Sequence, residues 1–366
     1  MTADQDLVTL AEILIAERRI RGIVLRTPLL SFGPPDPVDP AGRARVLLKP
    51  ESLQPIGAFK LRGAYNAIAS LDRAARAAGV VAHSSGNHAQ GVARAARLLG
   101  VRTVIVMPAD APAIKRERVL ADGARLVLVG PSSEERATRA SELARERGLT
   151  LISSHDDRAV IAGQGTVGLE IVEQVRVLAG APTRGDERPA GLDRALTVLV
   201  PVGGGGLAAG TAAAVKSLDP GASVIGVVPA LAAHARESLV AGRIVRWPAE
   251  VVGRTIADGQ RLTALGELPF AHLARQLDSI VVVEELEIVR AMAVAVRDAR
   301  LVLEPSGATA LAAWLFHRHE IDAPGRVVIV LTGGNVDPVH FRQWIAAGEA
   351  ASRARSAGEP AASRGT

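Results

Sequence analysis

The chain has 366 residues, 48% of them apolar, and a formal net charge of +5. It is long enough for two domains or one large α/β unit, with apolar residues enough for a substantial core. It contains no cysteine and only 2% aromatics. Disulfides, thiolate nucleophiles and cysteine-held metals are therefore excluded, and there is no stacking platform for bases.

The N-terminus, MTADQDLVTLAEILIAERRI, carries acids where a signal peptide needs a basic region, and no window approaches 18 uncharged apolar residues. A soluble, cytoplasmic protein without membrane contact is expected. The arginines interleave with acids along stretches such as SSEERATRASELARERG. That is the pattern of solvated helix faces, so no nucleic-acid partner is expected.

In chain order, the Pro- and Gly-rich SFGPPDPVDPAG (31–42) reads as a loop. GAFKLRGA (57–64) follows, and its Lys60 is one of four lysines, with Lys49, Lys115 and Lys216, in a chain that otherwise uses arginine. A lysine amine can lose its proton and condense with a carbonyl, which a guanidinium cannot do. Short β-branched runs then alternate with helix-length segments: GVVAHS (79–84), VRTVIVMP (101–108), ARLVLVG (124–130) and LTLISS (149–154). Gly100, Gly123 and Gly148 each stand just past a periodic segment, where a left-handed helix cap favours glycine. The alternation predicts crossover units and a parallel sheet, here forming a compact subdomain. It resumes with LTVLVPV (196–202), ASVIGVV (222–228), SIVVVE (279–284) and RVVIVLTGG (326–334), after a second loop, GAPTRGDERPAGLD (180–193). From about residue 347 the composition is that of a disordered tail.

Four loops carry chemistry. Gly203, Gly204, Gly205 and Gly206 follow a strand and open a helix, so that successive backbone N–H groups can converge on a phosphate. The spacing is neither GxGxxG nor a Walker loop, and a merely tight turn is the alternative. SSGNHAQG (84–91) sets two hydroxyls, an amide and an imidazole side by side. Taken singly, Ser85 or Asn87 is as well read as a helix cap, and His88 as a structural histidine. EPSGAT (304–309) and LTGGNVD (331–337) also end apolar runs, where open parallel sheets bind ligands. A lysine, a phosphate cup and small polar loops together suit pyridoxal 5'-phosphate.

GAFKLRGA, SSGNHAQGVA, IAGQGTVGLE (161–170), PVGGGGLAAG, TIADG (255–259), LEPSGA and LTGGNVD, in that order, resemble the fold-type II pyridoxal-phosphate enzymes, in particular the serine/threonine dehydratase and serine racemase branch. The resemblance implies a tryptophan synthase β-like α/β fold with two parallel-sheet domains and flanking helices. The large domain would be 1–71 and 157–346, with 72–156 inserted and 347–366 as the tail. It also implies a homodimer acting on a small amino acid.

By motif, the resemblance makes Lys60 the cofactor-binding and catalytic lysine, with Phe59 beside the cofactor. Asn87 would meet the ring hydroxyl, Gly203 to Gly206 the phosphate, and Thr332 the pyridine nitrogen. Ser84, Ser85 and His88 would receive the substrate carboxylate. The implied reaction is β-elimination from L-threonine or L-serine to a 2-oxo acid and ammonia. Ser85 leaves open racemisation, in which a second residue exchanges a proton opposite the lysine; dehydration of 3-hydroxyaspartate or an aryl-serine is a further alternative.

Three departures from the family pattern stand out. Val228 stands where many members have a metal-binding Glu, with His234 near a second ligand position, so no metal is expected. His155 and Ile56 replace residues of other types around the pocket. The chain also ends soon after LTGGNVD, without the C-terminal sensor region of biosynthetic threonine dehydratases, so isoleucine feedback is not expected.

Overall fold

The computed structural model describes residues 7–35, 44–84, 86–111, 113–130, 133–180 and 196–358. Helix α1 (Leu10–Ile20) starts at a reciprocal cap, in which Thr9 Oγ1 accepts from Glu12 N and the Glu12 carboxylate accepts from Thr9 N. Strands β1 (Leu30–Pro35) and β2 (Ala44–Pro50) pair antiparallel. This corrects the expectation of a loop from residue 31. Gly33, Pro34 and Pro35 are tolerated because β1 is an edge strand, with one side free of ladder bonds.

Helices α2 (Lys60–Ser70) and α3 (Arg73–Ala78) lead into a four-stranded parallel sheet of β3 (Val80–His83), β4 (Thr103–Pro108), β5 (Arg125–Val129) and β6 (Thr150–Leu151), in the order β5-β4-β3-β6. Its crossovers are α4 (Asn87–Leu99), α5 (Ala113–Ala121) and α6 (Ser133–Arg147). Gly100, Gly123 and Gly148 have φ of 66°, 78° and 64°, the left-handed caps expected from their spacing.

Helix α7 (Arg158–Leu178) returns to a second sheet built from β7 (Thr197–Pro201), β8 (Ser223–Pro229), β9 (Ser279–Val283) and β10 (Val327–Leu331) beside β1 and β2. The intervening helices are α8 (Gly206–Leu218), α9 (His234–Ala241), α10 (Ala249–Val252), α11 (Glu267–Gln276), α12 (Glu285–Val294) and α13 (Pro305–Phe316). The order is β1-β2-β10-β7-β8-β9, parallel apart from β1. The last strand thus enters the middle of the sheet and brings residues 332–335 beside 56–59. Phe59 N donates to Thr332 O at 3.1 Å and Gly334 N to Gly57 O at 2.9 Å. This is the predicted α/β fold with two parallel sheets and flanking helices.

Helix α7 packs with little between backbones. A methyl group at Gly163 would lie 2.6 Å from Gly63 Cα, and one at Gly168 the same distance from Thr211 O, so glycine lets α7 settle against α2 and α8. At this junction lies a buried charge cluster. Arg62 Nε donates to Glu51 Oε2 at 2.7 Å and its Nη1 to Glu170 Oε1 at 2.7 Å. Lys49 Nζ donates to Glu170 Oε2 at 2.6 Å and to Thr27 O at 2.7 Å. The cluster ties β2, α2 and α7 together two residues from Lys60.

The expected disordered tail is corrected for residues 347–358, which continue α14 (Pro338–Gly358). A methyl at Gly348 would lie 2.6 Å from Val289 O of α12, so this stretch is docked. Its Ala, Arg and Glu suit a surface helix as well as a disordered end, and tertiary contact decides between them. Residues 359–366, and 181–193 of the second loop, lie outside the described residues. Among the described residues, no helix is long and apolar enough to cross a membrane.

Candidate active site

At the carboxyl ends of β7 and β10 the described residues form a pocket lined by Phe59, Lys60, Ser154, His155, the loop Gly203–Gly206, Gln260, Glu304, Ser306 and Thr332. The four glycines make the floor. A side chain at Gly204 would collide with the His155 ring, and one at Gly206 would come within 2.7 Å of the His155 carbonyl. Gly205 has φ of 94°, which L side chains rarely adopt, and α8 begins there without a side-chain cap or an acid in its first turn. Uncapped N–H groups at a helix start favour an anion.

Lys60 faces this cradle from the start of α2. Its Nζ donates to Ser154 O at 2.7 Å and lies 5.1 Å from the centre of the Phe59 ring. Burial lowers its pKa from 10.5 to about 8. The other lysines have acidic partners: Lys49 with Glu170 at 2.6 Å, Lys115 with Asp258 at 2.7 Å and Lys216 with Asp278 at 2.8 Å. Among the described residues Lys60 has none. An amine tuned toward neutrality, an anion cradle and an aromatic wall in one cavity fit a phosphorylated aldehyde such as pyridoxal phosphate.

The rest of the site is polar and largely fixed. Thr332 Oγ1 donates to Ser306 O at 3.2 Å, and Ser306 Oγ accepts from Gly259 N at 2.8 Å. Asn87, at the start of α4, donates to Glu304 Oε1 at 2.6 Å. Burial, with Asp258 adding, raises Glu304 to about 8, so it is protonated at neutral pH. His88 is buried, with Nε2 on Ile152 O at 3.0 Å, and burial with Lys60 lowers it to about 3. Because a carbonyl only accepts, His88 is the Nε2–H tautomer, a neutral strut between α4 and the residue that follows β6. His155 is likewise lowered to about 4 by burial and Lys60, and its Nδ1 meets Ser154 Oγ at 2.8 Å.

Of the residues expected from sequence, Phe59, Lys60, Gly203 to Gly206 and Thr332 share the pocket lining, and Asn87 reaches it through Glu304. Ser84 and His88 are not among the lining residues; Ser84 Oγ instead accepts from Gly86 N at 3.1 Å. Ser85 lies outside the described residues. The sequence reading missed Glu304, Gln260 and Asn335. The first and last stand inside LEPSGA and LTGGNVD, where a charged or amide residue at the end of an apolar run was the available signal. Val228 is fully buried among apolar residues and His234 fully buried, lowered to about 4 by burial. Among the described residues no cluster of three or more His, Cys, Asp or Glu could hold a metal ion.

A family model described as "Pyridoxal-phosphate dependent enzyme" matches residues 20–333. The chain belongs to this family. It is 37% identical over 341 residues to the L-threo-3-hydroxyaspartate ammonia-lyase of Saccharomyces cerevisiae, covering 93% of this chain and 97% of that one. It is 40% identical over 292 residues to the L-threonine ammonia-lyase of Geobacter sulfurreducens, covering 80% and 67%. Among solved structures, maize serine racemase superposes with a TM-score of 0.80 at 33% identity, covering 97% of this chain and all of that one. The cofactor is pyridoxal phosphate, and the pocket just described has the parts to hold it.

Proposed function

We propose that this enzyme is an ammonia-lyase that converts L-threonine or L-serine to 2-oxobutanoate or pyruvate plus ammonia by β-elimination. The observation that carries the reading is Lys60: a buried amine without an acidic partner among the described residues, facing a glycine cradle, lowered to about 8. A lysine kept for charge alone is paired, as the other three are; an amine tuned toward neutrality can act as nucleophile and base. The relatives named ammonia-lyases support the same reading.

Lys60 would hold the cofactor through Nζ, Gly203 to Gly206 would bind its phosphate, Asn87 its ring oxygen, and Thr332 would face its ring nitrogen. Bound there, pyridoxal phosphate supplies an electron-withdrawing ring that stabilises charge developing at an amino acid's Cα. Lys60 Nζ takes the Cα proton as general base. Thr332 offers the ring nitrogen a neutral hydroxyl, which enforces protonation less than a carboxylate does. The site thereby favours prompt loss of a β-substituent over transamination. The Phe59 ring, 5.1 Å from Lys60 Nζ, gives the amine an apolar wall.

The second reading is an ammonia-lyase for L-threo-3-hydroxyaspartate, or a racemase. It is favoured by the near full-length match to the yeast 3-hydroxyaspartate lyase and by the fit to serine racemase. Assaying L-threonine, L-serine and L-threo-3-hydroxyaspartate separately, with keto acid and enantiomer both quantified, decides among them. Keto acid from threonine or serine at the highest kcat/KM is expected. Enantiomer without keto acid, or turnover confined to hydroxyaspartate, would overturn the main reading.

The proposal also takes 1–71 with 157–346 as the cofactor-bearing domain and 72–156 as an insertion, in keeping with the two separate sheets. A cytoplasmic homodimer is part of it and rests on the family resemblance. It includes independence from divalent cations, since a valine cannot ligate a hard cation. Treatment with EDTA is expected to change keto-acid formation by less than about twofold; a several-fold loss restored by Mg²⁺ would reject this part.

A further inference from the structure

Asn335, in the loop after β10, makes three side-chain hydrogen bonds, and two of its partners allow only one orientation. The Ile56 carbonyl can only accept, so its 2.8 Å contact must come from Nδ2. The Arg118 guanidinium can only donate, so its 2.5 Å contact must fall on Oδ1. The remaining Nδ2 proton goes to Asn87 Oδ1 at 2.9 Å.

That contact fixes the second amide in turn. With its oxygen facing a donor, Asn87 turns Nδ2 toward Glu304 Oε1 at 2.6 Å. Flipped, Asn87 would set its NH₂ against that of Asn335 and lose the bond. Glu304 is fixed as well, because it also accepts from the Asn335 backbone N–H. Gly57 makes room for this: its φ is +73°, and a methyl there would lie 2.5 Å from Asn335 Oδ1. One Nδ2 proton of Asn87 then has no acceptor among the described residues.

We propose that Asn335, held by Arg118, is a positioning residue that sets the Asn87 amide to offer an N–H, not a carbonyl, to the ring oxygen of pyridoxal phosphate. This rests on the reading above that Asn87 contacts that oxygen. A donor there stabilises the oxygen in its anionic form, whereas a carbonyl would repel it. Arg118 belongs to α5, among the crossovers of the four-stranded sheet, whereas Asn335 follows a strand of the six-stranded sheet. The orientation is therefore complete only when α5 lies against the loop after β10.

The test is the absorbance spectrum of substrate-free holoenzyme, with the cofactor dissociation constant measured alongside, for Asn87→Ala, Asn335→Ala, their double variant and Arg118→Ala. Asn335→Ala is expected to move the visible band toward the near-ultraviolet, as Asn87→Ala does, and to weaken cofactor binding about fivefold, the scale of one hydrogen bond. The double variant is expected to go no further than Asn87→Ala, and Arg118→Ala to shift the band partway. If Asn335→Ala folds poorly, Asn335→Asp reads the same point, since it keeps the size and the Arg118 contact but removes the donor. A band that moves in Asn87→Ala but not in either Asn335 variant, or additive shifts in the double, overturns the proposal. A band unmoved by Asn87→Ala removes the underlying contact with the ring oxygen, and the positioning role with it.

Discussion

Lys60→Met is expected to abolish keto-acid formation and, in the same protein freed of cofactor, to raise the melting temperature. The first effect follows from losing both the covalent anchor and the base, a loss of at least about 10³-fold. The second follows from the direction of the pKa shift. Burial lowers the amine from 10.5 to about 8, so the unfolded chain holds that proton more tightly than the folded one. Below about pH 8 folding must bury a charge, at a cost of roughly 3 kcal/mol, and the cost shrinks as pH rises from 8 toward 10.5. Methionine has similar bulk and no charge, so it removes the cost. The gain in Tm is expected to be full at pH 7 and to fade toward pH 10. A variant that melts below wild type at pH 7, with the cofactor absent from both, would show that the amine sits in a compensated site. Residual keto acid at more than a thousandth of the wild-type rate would take the base assignment away from Lys60.

The contrast between catalytic and structural charge explains which parts of the molecule were legible beforehand. The eight strand runs named from β-branched residues are all strands, and in β4, β7 and β10 burial on both faces of the parallel sheet writes a continuous apolar word. The glycine cradle was legible because few backbone needs other than close approach call for four consecutive glycines. β1 was hidden by its prolines, which an edge strand tolerates. The Asn87, Glu304 and Asn335 set was not legible as a set: its members are 217 and 248 residues from Asn87 in the chain, and only insertion of β10 between β2 and β7 brings them together. The cluster around Arg62 escaped for the same reason; its only local trace is that Lys49 within VLLKPE and Glu170 within TVGLEIV are charges in apolar runs.

Arg62→Met is expected to cost about 3–5 kcal/mol of stability, the range for removing one partner of a buried ion pair. The cluster sums to zero: Arg62 and Lys49 against Glu51 and Glu170, all buried. Without Arg62, Glu51 keeps among the described residues only neutral donors, Thr27 Oγ1 at 2.7 Å and Gln54 Nε2 at 3.0 Å, and one negative charge is stranded. Adding Glu51→Gln restores neutrality and leaves Lys49 with Glu170, so the double variant is expected to recover much of the loss. Glu51→Gln alone strands a positive charge and is also destabilising. The two single losses should therefore exceed the loss in the double, a coupling that urea melts of the four proteins can measure. Additive losses would mean that water reaches the cluster and screens it. Acid gives an independent check. Burial alone would raise the Glu170 carboxyl, but Arg62 and Lys49 override it and hold it below 4.5. Its contribution is thus complete above the unfolded value and is lost as pH falls below it. In Arg62→Met that acid-side loss begins at higher pH. Arg62 lies two residues beyond Lys60 on α2, so what unsettles the cluster unsettles the anchor of the amine. Weakened cofactor binding in Arg62→Met, recovered in the double variant, is the expected functional echo.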